Sequence, residues 1–239
     1  MNRKYLKIIH LYPKEMNIYG DTGNTMVLAK RLEWRGIDAV VIKVGIGDKI
    51  PKDADIIVGG GGQDAGQDDI QNDLQAKKLV LKKLADDGVV MLMICGMYQL
   101  FGRSFVTGGG RLIKGIGILP LITVASKERH IGNTIYSSDF GEIVGYENHS
   151  GLTTLDDPRF AFAKVKKGAG NSGHDNTEGC RVKNIFGTYS HGPILSKNPD
   201  FADALLETAL KRKYPEMVLK VINNDLEDMA HNLAKKRPR

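Results

Sequence analysis

The segment Val89-Val90-Met91-Leu92-Met93-Ile94, followed at once by Cys95-Gly96, constrains this chain more than any other. Six apolar residues without polar alternation describe a strand buried on both faces. Such strands belong to parallel sheets covered by helices on each side. Gly96 then marks a tight turn, and Met97-Tyr98-Gln99-Leu100 can open a helix. A buried strand, one reactive residue and a turn into a helix put that residue at the carboxyl edge of an α/β sheet, where such folds place their ligands.

The residues before this segment carry the same alternation. Tyr5–Tyr12 reads as a strand closed by Pro13, and Asn17–Asn24 as a turn-like segment. Thr25–Arg35 places Met26, Leu28 and Leu32 among polar residues and stops at Gly36, which predicts a helix. Ala39–Val44 and Asp55–Val58 read as strands, and a helix carrying Ile70, Leu74, Leu79, Leu81 and Leu84 ends at Gly88. This order implies βαβ units in an α/β fold with a central, mostly parallel sheet flanked by helices.

After Val106 the pattern changes. Ile113–Ile118, Leu121–Ala125, Thr134–Tyr136, Ile143–Tyr146 and Phe160–Val165 are short β-rich pieces divided by Gly, Ser, Thr and Asn. They predict an added antiparallel β portion. Gly168–Gly173 reads as a loop, Ile185–Tyr189 as a last strand, and about Asp200–Lys213 and Asp225–Lys236 as helices. The expected organisation is one domain over residues 1–215 and a C-terminal helix with a basic tail over 216–239.

Composition excludes several function classes. With 41% hydrophobic and 26% charged residues, the chain is neither disordered nor fibrous as a whole. No apolar run approaches the roughly 20 residues that cross a bilayer, and the basic start has too short an apolar stretch for a signal peptide. The expectation is a cytoplasmic protein without membrane insertion. The net charge of +6 raises the question of nucleic acid. Lys and Arg are interleaved with acids, however, and cluster only in Lys235-Lys236-Arg237-Pro238-Arg239, which reads as a solvated tail without base-reading geometry. Cys95 and Cys180 form no CxxC pair, which fits a reducing compartment and excludes a cysteine-based zinc site. No metal site is evident.

The turn at Cys95 has the layout of a nucleophile elbow, and a thiol nucleophile needs a base within hydrogen-bond reach. His191 follows a strand and precedes Gly192-Pro193, so it is expected at the same sheet edge. The other histidines are His10, His130, His149, His174 and His231, with His149 the chief rival. Gly59-Gly60-Gly61-Gly62 after a strand offers backbone N–H groups to an anion, as a phosphate cradle or an oxyanion hole. The pattern GxxxxGK[ST] is missing and no GxGxxG opens a helix, so the oxyanion reading is preferred.

Cys95, His191 and the glycine run together resemble the class I, triad-type glutamine amidotransferases, which have a flavodoxin-like fold, and within them the CobB/CobQ-like branch. The resemblance extends to Asn17–Asn24, Ile94–Leu100, Gly141–Gly151, Lys183-Asn184 and Gly187–Leu195 in the same order. These segments are similar to the glutaminase subunits of bacterial lipid II isoglutaminyl synthases. The resemblance implies hydrolysis of L-glutamine to glutamate and ammonia, with Cys95 as nucleophile and His191 as base. It implies that Arg129 holds the substrate, with Gln99 beside it, and that Gly61 and the backbone at Gly96–Met97 line the oxyanion hole. It further implies a MurT-like Mur ligase subunit as partner, which would bind ATP and magnesium and amidate the D-glutamate α-carboxyl of lipid II. No cofactor is then expected in this chain.

One position departs from the wider fold. Most triad-type amidotransferases carry a glutamate two residues after the base, where this chain has Pro193. The CobB/CobQ-like branch commonly lacks that acid, so Glu147 or a backbone carbonyl is expected to orient His191. Two other readings remain at this stage. One is a glutaminase serving another acceptor such as a corrinoid; the other is a flavodoxin-like scaffold in which Cys95 is only a redox-sensitive thiol.

Overall fold

The computed structural model describes residues 3–62 and 64–239. Its first half runs β1 (Tyr5–Leu11), α1 (Thr22–Glu33), β2 (Asp38–Val44), β3 (Ile56–Gly59), α2 (Asp64–Asp86), β4 (Val90–Ile94) and α3 (Gly96–Phe101). Then come β5 (Ser104–Val106), β6 (Leu112–Lys114), β7 (Leu121–Ser138), β8 (Gly141–Leu155), β9 (Ala163–Lys167), β10 (Thr177–Glu178), β11 (Cys180–Val182), β12 (Ile185–Thr188) and β13 (Ser190–His191). α4 (Pro199–Lys213) and α5 (Asp225–Lys235) close the chain.

Six strands form one sheet in the order β11-β12-β4-β3-β1-β2. Every pair is parallel except β11 with β12. The unbroken apolar runs lie where that pattern requires. All of β3 and β4 is buried, whereas the edge strand β2 leaves Val40 and Val41 exposed. Register sets the functional edge. Leu11 pairs with Gly59, Gly59 with Met93, and Thr188 with Ile94, so the residues following β1, β3, β4 and β12 emerge side by side.

The second sheet runs β10-β9-β7-β5-β6, with β8 paired to β7 and to β13. Its centre is one long β7–β8 hairpin with a register shift between Ala125 and His130. The sequence reading divided this hairpin into shorter pieces. The pieces are continuous because glycines within the strands serve close backbone packing; a Cβ at Gly145 would lie 2.1 Å from Ser190 Oγ.

α4 buries Phe201, Leu205, Leu206 and Leu210 against the core, whereas α5 has no buried residue. The basic tail is not simply solvated. Asn133 Nδ2 donates to Pro238 O at 2.6 Å, and the Arg239 guanidinium donates to Glu147 Oε1 at 2.8 Å. The buried carboxylate gives the terminal cation a partner that solvent-facing acids do not. Among the described residues, no helix is long and apolar enough to cross a membrane.

Candidate active site

Cys95 occupies the turn between β4 and α3 with φ 48° and ψ −103°. An L residue persists there only when its surroundings hold it. Its N–H donates to Thr188 O at 2.8 Å, and its carbonyl accepts from Gln99 N at 3.0 Å. Gly96 has no room for a side chain, because a Cβ there would lie 2.7 Å from Met16 Cε and 2.8 Å from Gln67 Nε2. The elbow predicted from sequence is therefore present, and it turns the thiol out of the sheet edge.

His191 comes from β13, where it pairs with Tyr146 and so joins the two sheets. Its ring is buried and faces an acid that the sequence reading did not single out, Asp21. Asp21 stands at the N-cap of α1 yet makes no side-chain cap. Asn17 Oδ1 takes the Thr22 N–H instead, at 2.8 Å. Released from capping, Asp21 Oδ2 accepts from Gly61 N at 2.7 Å and lies 3.3 Å from His191 Nδ1. Asp21 thus fills the orienting position expected of Glu147 or a carbonyl. The Glu147 oxygens accept from the backbone N–H groups of Ala169 and Gly170, away from His191.

Asp21 takes up the Nδ1 side of the His191 ring, which leaves Nε2 as the nitrogen free to face the thiol. Nε2 has no oriented hydrogen bond of its own. Burial opposes charge on this ring, but the adjacent Cys95 sulfur and the Asp21 carboxylate outweigh it and raise the pKa to about 10. The convergence is tight. A Cβ at Gly61 would lie 2.6 Å from His191 Cε1, 3.2 Å from Cys95 Cβ and 3.3 Å from Asp21 Oδ2.

That geometry redefines Gly61. Its N–H is committed to Asp21, so it is not a free oxyanion donor as the sequence reading expected. The next N–H, that of Gly62, lies 3.2 Å from where a Gly96 Cβ would stand and borders the elbow.

His149, the rival histidine, is fixed differently. Its ring stacks on Tyr189 at 3.7 Å and 7°. Its Nδ1 lies 2.9 Å from Gly151 O, which can only accept, so Nδ1 bears the proton. Burial pushes its pKa down to about 3, and the ring is neutral.

Arg129 sits in the register shift of β7, exposed at its surface. Its Nε donates to Asn148 Oδ1 at 2.6 Å and a terminal nitrogen to the Tyr19 hydroxyl at 3.2 Å. The Tyr19 ring lies 4.3 Å from the His191 ring, which ties the arginine to the histidine. Gln99 is buried and donates to the Tyr189 hydroxyl at 3.2 Å. Cys95, Gln99, Arg129 and His149 all border one cavity of about 90 Å³, together with Tyr19 and Gln67. The structure therefore brings Cys95, Gln99 and Arg129 together, and sets His191 beside the thiol. Among the described residues, no group of three or more His, Cys, Asp or Glu side chains is placed to hold a metal ion.

A parallel sheet with a thiol elbow, a histidine and a carboxylate at its carboxyl edge is the arrangement of a class I glutamine amidotransferase. A glutamine amidotransferase from Thermotoga maritima superposes with a TM-score of 0.53 over 96% of this chain and 93% of that one, at 15% identity. This likeness concerns the fold. Residues 7–199 match the CobB/CobQ-like glutamine amidotransferase domain, and the chain belongs to that family. Two relatives are similar over most of their length, both lipid II isoglutaminyl synthase (glutamine-hydrolyzing) subunits GatD. The Staphylococcus aureus protein is 39% identical over 94% of this chain and 93% of its own. The Streptococcus pneumoniae protein is 41% identical over 87% and 82%.

Proposed function

We propose that this chain is the glutamine-hydrolysing subunit of a lipid II isoglutaminyl synthase, and that it passes ammonia to a MurT-like, ATP-dependent Mur ligase subunit. The observation that carries the reading is the convergence of Cys95, His191 and Asp21 on the vacant Cβ position of Gly61. The near full-length similarity to GatD supports the choice of lipid II as acceptor over a corrinoid. Cobyric acid synthases also match, but the chain covers only 27% of the Methanocella arvoryzae protein.

In this mechanism Arg129 binds the α-carboxylate of L-glutamine, with Gln99 lining the same cavity. His191, protonated at neutral pH, holds on Nε2 the proton taken from Cys95, and the sulfur attacks the carboxamide carbon. The backbone N–H groups of Gly62 and Gly96, which border the elbow, receive the resulting oxyanion. Asp21 stabilises the imidazolium, which returns its proton to the leaving nitrogen and releases ammonia. A water deprotonated by His191 then splits the thioester, which frees glutamate and restores the thiol. ATP and magnesium belong to the ligase subunit.

The test is co-purification with a Mur-ligase-like partner, followed by mass spectrometry of lipid II incubated with ATP and glutamine. The expected outcome is loss of one mass unit from the stem peptide, as D-glutamate becomes D-isoglutamine. Glutamine hydrolysis without lipid II amidation would leave the glutaminase and withdraw the acceptor.

A further inference from the structure

Gln67 lies on α2 with 2% of its surface exposed, and its side chain has one atom too many for its surroundings. Its Nε2 donates to Gln99 Oε1 at 2.7 Å, and Gln99 Nε2 donates in turn to the Tyr189 hydroxyl at 3.2 Å. That hydroxyl lies 2.6 Å from Thr153 Oγ1, itself 2.7 Å from Thr123 Oγ1. In this arrangement the Gln67 amide turns its nitrogen to Gln99. Gln67 Oε1 is left buried with no partner. Buried acceptors are normally paired, and an unpaired one on a residue that lines a ligand cavity marks a place that a ligand donor can complete.

Its location says which part of the ligand. Gln67 borders the cavity that holds Cys95, and its amide packs against Gly96, the residue after the nucleophile. It therefore stands at the reacting end of a bound glutamine. Substrate and product differ only at that end. The glutamine carboxamide offers two N–H donors, whereas the glutamate carboxylate offers only acceptors.

We propose that Gln67 is a specificity-determining residue whose Oε1 accepts from the carboxamide nitrogen of glutamine and rejects the carboxylate of glutamate. This inference rests on the glutaminase reading above. A site that hydrogen-bonds a substrate N–H discriminates strongly against the analogue lacking it, because the analogue leaves the buried acceptor unpaired. The same acceptor speeds departure of the product once the carboxamide has become a carboxylate.

The test uses the full chain with Cys95→Ser to stop turnover, and calorimetry to measure binding of L-glutamine and L-glutamate. Adding Gln67→Met should weaken glutamine binding about tenfold, while glutamate binding stays constant or tightens. Gln67→Glu keeps an acceptor oxygen and adds charge, so it should retain the preference for glutamine and bind glutamate about tenfold more weakly or worse. Alkylation of Cys95 by iodoacetamide in each Gln67 variant with the native thiol reports whether the elbow is intact. If Gln67→Met changes both ligands equally, or neither, or if Gln67→Glu binds glutamate as the parent does, the proposal falls. If the Cys95→Ser protein binds neither ligand, and wild type releases no glutamate with or without its ligase partner, the glutaminase reading itself has failed.

Discussion

The carboxylate of Asp21 stands 3.3 Å from Nδ1 of His191, across 170 residues of sequence. The contact exists because β1 and β12 end at the same edge of the parallel sheet, so the loop after one meets the strand after the other. Asp21 forgoes the N-cap of α1 to make it, and Asn17 supplies the missing acceptor. His191 is therefore oriented by an acid from the first loop, while Pro193 occupies the position where related folds carry a glutamate.

Asp21→Asn should keep the Gly61 contact but lose the charge that stabilises the imidazolium. Glutamine turnover is expected to fall about 10²–10⁴-fold. Removing the carboxylate also removes one of the influences that raise the His191 pKa, so the high-pH limb of the rate profile should move to lower pH. A normal rate with an unchanged profile would exclude Asp21 from the triad.

His191→Ala should abolish hydrolysis, whereas His149→Ala should impair it without removing the base. His149 is neutral, donates through Nδ1 to Gly151 and stacks on Tyr189, which is how a structural ring is held. A glutaminase assay on both variants decides the matter. If only the His149 variant is dead, the two roles must be exchanged.

The legibility of this site follows its physics. Cys95 was readable because an apolar strand and a glycine turn are local signals, and His191 because it also follows a strand. Asp21 was not, since an aspartate before a helix looks like an ordinary cap and only the fold shows its oxygen aimed elsewhere. Gln67 was hidden in a polar helix, where one glutamine resembles the next. The doubly wound half was predicted well because full burial writes unbroken apolar runs. The β7–β8 hairpin was not, because a strand half in solvent and spaced by glycine carries little apolar periodicity. Residues 236–239 are exposed as the basic run suggests, but the contact of Arg239 was not legible because its partner, buried Glu147, lies far away in sequence.

Cys95→Ala and Cys95→Gly should both abolish glutamine hydrolysis, since each removes the proposed nucleophile. They should differ in stability. At φ 48° and ψ −103°, glycine pays no Cβ penalty while alanine does. The glycine variant is expected to be about 1 kcal/mol more stable than the alanine variant. Denaturant unfolding of the pair measures it; equal midpoints would mean that the elbow stores no strain.

Arg129→Ala should lower kcat/KM for glutamine about ten- to hundredfold, the loss of a charge-assisted contact to the α-carboxylate. Arg129→Lys should recover little, because an ammonium lacks the planar fork that now spans Asn148 and Tyr19. Cys95 in the alanine variant should still react with iodoacetamide at close to the wild-type rate, but label poorly with a glutamine-shaped electrophile. Equal loss of both reactions would make Arg129 a support for Tyr19 and the base rather than a substrate clamp.

Glu178 links the site to pH-dependent stability. It is fully buried behind β12, where its Oε1 accepts from the Thr188 hydroxyl and from Tyr189 N at 2.9 Å, and its Oε2 has no partner. Burial raises its pKa to about 7, against the stabilising pull of those donors. The folded state therefore binds this proton more tightly than the unfolded chain does, where the group titrates near 4.5. The resulting stabilisation is fully present below pH 4.5 and is lost as pH rises through about 7, on the order of 3 kcal/mol in all. His149 works in the opposite sense, because its lowered pKa favours folding above about 6.5 and that contribution is lost as pH falls toward 3. The diagnostic is thus a difference between proteins rather than the wild-type curve alone. Glu178→Gln, which stays uncharged at every pH, should gain stability relative to wild type as pH rises from 4.5 to 8. A constant difference between the two proteins across that range would show that Glu178 does not hold its proton in the folded state.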